Sequence, residues 1–96
     1  MAFRYEFLEA AARDLHKLTR HNPSLLHAIA TEHIPRILQD PFSAGEAKMG
    51  DLAGVRACDL QVKGVAYRLI YQVNDVVVLF VALGPHDEAF RRARRR

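Results

Sequence analysis

Arg68 is the residue of this chain whose position most needs a chemical reason. It lies in the strand-like stretch Tyr67–Val73, YRLIYQV, eight residues after Leu60 of the stretch Val55–Val62. Lys63-Gly64 has the form of a two-residue hairpin turn between them. If those residues form the turn, Val62 faces Val65, Leu60 faces Tyr67, Cys58 faces Leu69 and Asp59 faces Arg68. Side-chain alternation then gathers Val62, Val65, Leu60, Tyr67, Cys58 and Leu69 on one apolar face. Arg68 and Asp59 fall on the other, beside Ala57 and Ile70. A guanidinium on an apolar floor is costly unless it is paired. Asp59 either pairs with Arg68 and only fixes the register, or holds Arg68 ready for an anion in a shallow groove. An arginine can brace two oxygens of a phosphate or carboxylate at once.

The remaining reactive side chains form no second constellation. His16, His21, His27 and His33 are spread over two helical segments, and no His/Cys/Asp spacing suits a metal site, so no metal is expected. There is no glycine-rich phosphate loop and no GxSxG motif. Cys58 and Tyr71 fall on the core face by the same register, so packing is their expected role and Cys58 is not expected to act as a nucleophile.

The elements that must position Arg68 can be read around it. Phe3–Phe7 alternates apolar and charged residues and predicts a strand. Glu9–Thr19 predicts a helix with Ala11, Ala12, Leu15 and Leu18 on one stripe. Asn22 suits an N-cap and Pro23 a first turn, opening a second helix to about Gln39, in which Pro35 predicts a kink near His33-Ile34. Asp40-Pro41 ends it. Phe42–Gly54 reads as a loop, with a short strand or turn around Lys48-Met49. Strands follow over Val55–Val62, Val65–Val73 and Val76–Leu83, the last two joined at Asn74-Asp75, which sets Val81 beside Arg68. His86–Arg95 predicts a short final helix with Asp87 and Glu88 in its first turn, where the helix dipole favours acids. The class is α+β: an antiparallel sheet, an N-terminal αα hairpin packed on it, and a short C-terminal helix.

The length of 96 residues predicts one domain over 1–96. Half the residues are hydrophobic, which argues against disorder. The longest apolar run, Val76–Leu83, is far short of a membrane helix, and MAFRYEF lacks the apolar segment of a signal peptide. One cysteine allows no internal disulfide. Together these predict a cytoplasmic protein that does not engage a membrane. The net charge of +3 is carried by the tail: five of the last six residues are arginine, and without them nine basic face eleven acidic residues. The tail can meet phosphates, an acidic partner or only water.

The segment YRLIYQV, followed by Asn74-Asp75 and an all-apolar strand, resembles the RelE/ParE family of bacterial toxins. The resemblance runs over nearly the whole chain and includes AARDLHKL at Ala11–Leu18, ILQDP at Ile37–Pro41, and Asp51-Leu52-Ala53-Gly54. It implies the small RelE-like microbial RNase fold and a toxin of a type II toxin-antitoxin system, held in check by a cognate antitoxin. Operator DNA would then be met only through the toxin-antitoxin complex. RelE-like members act on the ribosome and cleave mRNA without metal or cofactor: a ribose 2′-oxygen attacks the adjacent phosphate and expels the 5′-oxygen. That reaction needs a base, cations about the phosphate and an acid.

By this resemblance Arg68 is the phosphate-binding arginine. His86 and Phe90 fall where the family places its later active-site residues, with the imidazole as acid or base and the ring able to stack a base. Asp59 would support Arg68. The chain departs from the pattern on the preceding strand: where the best-known RelE branch has two lysines, it has Ala57 and Asp59, or Asp59 and Gln61. Lys48 and Arg56 are the nearby cations that would substitute in binding substrate. The departure keeps open a ParE-like toxin that inhibits DNA gyrase by protein binding, and a weakly active member kept mainly as partner of its antitoxin.

Overall fold

The computed structural model describes residues 3–48 and 54–96. Strand β1 (Arg4–Phe7) leads into helix α1 (Glu9–Thr19). A second helical rod follows as α2 (Pro23–Ala28), a π-helical turn (Ile29–His33) and α3 (Ile34–Gln39). One short turn, α4 (Pro41–Ala44), precedes β2 (Glu46–Ala47). The long strands β3 (Arg56–Val62), β4 (Val65–Asn74) and β5 (Val77–Pro85) then run directly into α5 (His86–Arg94). Met49 and the Asp51-Leu52-Ala53 part of the family resemblance lie outside the described residues.

The helices begin and bend where side-chain chemistry dictates. The Asn22 carboxamide accepts the Leu25 N–H at 3.2 Å, so it caps α2. Pro35 cannot donate to a preceding carbonyl and its ring crowds the turn before it. The chain widens there, and the Ile34 N–H reaches back to the Ile29 carbonyl, one residue farther than in an α-helix. The expected kink is thus a π-turn just ahead of the proline. The single turn α4 falls in what reads from sequence as loop.

The sheet order is β1-β5-β4-β3-β2. β1 pairs with β5 in parallel, and the other three pairings are antiparallel. The β3–β4 hairpin has the register expected of a Lys63-Gly64 turn, with Asp59 opposite Arg68 and Cys58 opposite Leu69. Lys63 and Gly64 have φ of 52° and 80°, the left-handed pair that a tight hairpin requires. Of the six residues assigned to the apolar face, Val65 is half exposed at the hairpin end and the others join or pack on the core.

The second hairpin corrects the sequence reading. Its turn is Asp75-Val76, not Asn74-Asp75: Asn74 still pairs with Val77, and Asp75 takes a left-handed φ of 56°. A β-bulge follows, since Ile70 pairs with Ala82 and Tyr71 with Phe80, leaving Val81 over. Arg68 therefore faces Gly84 and not Val81. One extra residue inverts the alternation. Val78 and Phe80 before the bulge, and Leu83 after it, pack in the core under α1–α3. Val81 and Ala82 join Val55, Ala57, Ile70, Ala89 and Ala93 in a smaller core under α5. The sheet is thus covered on both faces, and Arg68 lies on the α5 side.

β1 is too short to cover all of β5. It ends at Phe7 opposite Phe80, and the Leu8 N–H still reaches the Phe80 carbonyl at 3.0 Å. Side chains satisfy the edge beyond. Asp14 accepts the Leu83 N–H at 3.1 Å, Arg92 donates to the Leu83 carbonyl at 2.6 Å, and Arg96 donates to the Val81 carbonyl at 2.9 Å. Arg96 also forks onto Asp14 at 2.5 and 3.0 Å. Two arginines of the tail are therefore edge caps for β5, which need partners because a buried backbone group left unpaired is costly.

Candidate active site

Arg68 projects from the middle strand of the sheet toward α5 and is only 7% exposed. Its Nε and Nη2 fork onto Asp59 at 2.5 and 3.2 Å. Its guanidinium lies 4.3 Å from the centroid of the Phe90 ring. Its Nη2 also touches His86 Nε2. The floor is Ala57, Ile70 and Ala82. The apolar setting anticipated for Arg68 is present, and Asp59 supplies the required pairing.

α5 brings the remaining groups. His86 is its first residue and Phe90 lies one turn on, so both point at Arg68. An arginine has only donors, so the His86 Nε2 that meets it presents its lone pair. In the neutral imidazole the proton is then on Nδ1, which sits 3.1 Å from Asp87 Oδ1. Asp59 Oδ2 is 3.8 Å from His86 Nε2. The hydrogen bonds from Arg68 hold the Asp59 carboxyl below the ordinary carboxylate range, against the opposing effect of burial, and the charges of Arg68 and Lys48 act in the same direction, joined by that of His86 only when its ring is protonated.

Lys48 follows β2 and is tied back by its N–H to the Val55 carbonyl at 3.0 Å. Its ammonium lies 5.1 Å from the Phe90 centroid and 3.7 Å from Glu46. Phe90 thus carries two cations. It also packs against the α5-side core, so its ring is engaged on the protein as well as near the site. An open groove of about 600 Å³ runs beside His86, lined by Asp59, Leu60, Gln61, Ala66 and Asp87.

Arg56 is not brought to this cluster. It pairs with Tyr71 in register and so lies on the opposite face of the sheet. There it donates to the Gly45 carbonyl at 3.3 Å and the Phe42 carbonyl at 2.6 Å, tying down α4. The structure therefore gathers Arg68, Asp59, His86, Phe90 and Lys48, and sends Arg56 to a packing task. Asp87 is the side chain at the site that sequence reading treated only as a first-turn acid. Its adjacency to His86 was the available signal.

Nothing else among the described residues competes as a reactive centre. No three His, Cys, Asp or Glu side chains gather to hold a metal there. Cys58 is buried, and burial pushes its thiol up in spite of an N–H from Arg36 at 3.1 Å. Tyr71 is fully buried and donates to the Pro41 carbonyl at 2.6 Å. No helix among the described residues is long and apolar enough to cross a membrane.

Comparison with solved structures finds the same architecture. The toxin-antitoxin complex RelBE2 from Mycobacterium tuberculosis aligns with a TM-score of 0.68 at 24% identity, covering 90% of this chain and 100% of that one. A double arginine-to-alanine mutant of the Escherichia coli toxin RelE in the free state aligns at 0.67 and 26% identity, covering 100% and 98%. The toxin of the intact E. coli RelBE complex aligns at 0.64 and 28% identity, covering 88% and 96%. No curated protein matches the chain. Residues 7–94 match the family described as ParE-like toxin of type II bacterial toxin-antitoxin system. With that match over nearly its whole length and the RelE fold beneath it, the chain belongs to the ParE-like toxins of type II bacterial toxin-antitoxin systems.

Proposed function

We propose that this toxin is a RelE-like endoribonuclease that acts on mRNA at the ribosome and so inhibits translation. The observation that carries the reading is the convergence of Arg68, Lys48 and His86 on one face of the sheet. Two cations beside an imidazole are what metal-free attack of a 2′-oxygen on a phosphodiester requires. In this reading Arg68 and Lys48 stabilise charge on the phosphate oxygens. His86, once its Nε2 leaves Arg68, takes the 2′-hydroxyl proton or, once protonated, gives one to the departing 5′-oxygen. Phe90 orders the cations and offers an edge to a base. Asp59 supports Arg68. No cofactor takes part. The cognate antitoxin is the protein partner, a reading supported by the two neighbours solved as toxin-antitoxin complexes. Operator DNA is met through that complex. The site of action is the cytoplasm.

A second reading is kept by two observations. The matching family is described as ParE-like, and Asp59, not a lysine, stands opposite Arg68. In that reading the toxin inhibits DNA gyrase by protein binding and cuts no RNA. One experiment separates them: the purified protein is incubated with mRNA-programmed ribosomes and, in parallel, with gyrase and supercoiled DNA. The first reading expects RNA cleavage that falls by about 100- to 1,000-fold in Arg68→Ala, the scale of losing one transition-state anion donor. His86→Ala should fall comparably. Undiminished cleavage in Arg68→Ala would overturn the assignment, and gyrase inhibition without cleavage would favour the second reading.

A further inference from the structure

Arg68 has five N–H donors in a fixed fork. The edge best suited to an anion, Nε with Nη2, is already taken by Asp59 at 2.5 and 3.2 Å. Nη2 also meets His86, and the flat face rests on Phe90. What remains free of these contacts is Nη1, on a side chain that is almost wholly buried. A phosphate cannot take Arg68 bidentately through that edge while Asp59 stays where it is. Asp59 itself is not locked in: its side chain is 56% exposed and borders the open groove beside His86 and Gln61. The groove gives its carboxylate open space to turn into.

We propose that Asp59 is an internal competitor for the phosphate group that Arg68 receives, so that it sets how tightly the site takes that anion. The inference rests on Arg68 being the phosphate-binding residue of the proposed function. In the free toxin Asp59 neutralises Arg68 and keeps a buried cation paired, which a buried guanidinium requires. When a phosphate of RNA enters, it displaces the carboxylate toward the groove, and like-charge repulsion between the two opposes entry. A toxin built this way takes a free anion weakly and holds firmly a phosphate presented with further contacts. Asp59 is then a specificity-determining residue and not only a support.

The test needs no nuclease activity. Inorganic phosphate is titrated into the full chain and followed by the Nε–H resonance of Arg68, in wild type, Asp59→Asn, Asp59→Ser, and Asp59→Asn combined with Arg68→Gln. Asparagine is isosteric and still accepts one hydrogen bond from Arg68, and serine serves where asparagine fails to fold. The expected result is phosphate binding about tenfold tighter in the Asp59 variants, the order expected for removing one like charge at contact distance. The gain should vanish when Arg68 is also replaced, read on neighbouring backbone amides. Equal or weaker binding in both single variants overturns the proposal, as does no binding by any of the proteins. A protein that cuts no RNA but shows the gain retains this inference and loses the nuclease reading. Cleavage by wild type without the gain does the reverse.

Discussion

Asp14→Asn should destabilise the toxin far more than an ordinary helix substitution, although residue 14 lies nowhere near Arg68 in sequence. Asp14 is 7% exposed and collects the Leu83 N–H, a fork from Arg96 and a contact to Arg92 at 3.6 Å. Breaking one side of a buried ion pair costs about 3–5 kcal/mol. Asparagine retains an acceptor for the Leu83 N–H, which returns about 1 kcal/mol. The net is a loss of roughly 2–4 kcal/mol, or on the order of 10–20 °C in Tm for a chain of this size. Thermal and urea unfolding at pH 7 would measure it, with Arg96→Ala and the double variant closing the cycle. The pH dependence follows from the direction of the Asp14 shift. Burial pushes its carboxyl up, but the Arg96 and Leu83 hydrogen bonds and the charges of Arg96 and Arg92 outweigh it, and the net shift is downward. A lowered folded value contributes stability that is complete above the unfolded value of about 3.9 and is lost as pH falls below it. The gap between wild type and Asp14→Asn should therefore be widest near neutrality and close from about pH 5 downward. A Tm change under about 3 °C at pH 7, or a gap that does not narrow in acid, would refute the account of Asp14 as the cap of the β5 edge.

Two further substitutions test neighbouring parts of the same frame. In Gly84→Ala the new methyl would stand 2.9 Å from Arg92 Nη1, so the guanidinium must shift off the Leu83 carbonyl. A loss of about 1 kcal/mol is expected, non-additive with Asp14→Asn, and simple additivity by urea unfolding would count against it. Tyr71→Phe removes the buried donor to the Pro41 carbonyl and should cost about 1–2 kcal/mol. Burial also pushes the Tyr71 hydroxyl up to about 12. The wild type should thus lose stability as pH rises above the unfolded value of about 10, a decline that Tyr71→Phe should show to a lesser degree.

The fold was legible wherever local chemistry and hydrophobic period agreed. Asn22-Pro23, Pro35, Asp40-Pro41 and Lys63-Gly64 each act within a few residues of themselves, and each marks a boundary or bend in the structure. The β5 bulge was not legible because Val76–Leu83 is apolar at every position. In such a strand both faces are buried, and period-two alternation, the signal that fixes register, is absent. Register there is decided by what each face packs against, α1–α3 or α5, which is tertiary information. The bulge adds one position to the two contributed by the turn at Asp75-Val76, and Arg68 therefore meets Gly84 and not Val81.

The site divides along the same line. Arg68 and Asp59 were placed by a hairpin whose register is set by its own turn. His86 and Phe90 follow because α5 begins where β5 ends, so their separation from Arg68 depends on strand length alone. Arg56 went astray for a reason that parity contains: it is separated from Arg68's partner Asp59 by an odd number of positions, which puts it on the other face. Lys48 reaches the cluster only because β2 pairs with β3 and turns its next residue toward Phe90. The tail arginines were the least legible, since a run of like charges says nothing about which members find partners. Two of them close the β5 edge through Asp14, and that edge carries the bulge that sets Gly84 opposite Arg68. The basic charge that most suggests a nucleic-acid surface is therefore partly spent on holding α5, and with it His86 and Phe90, against the sheet.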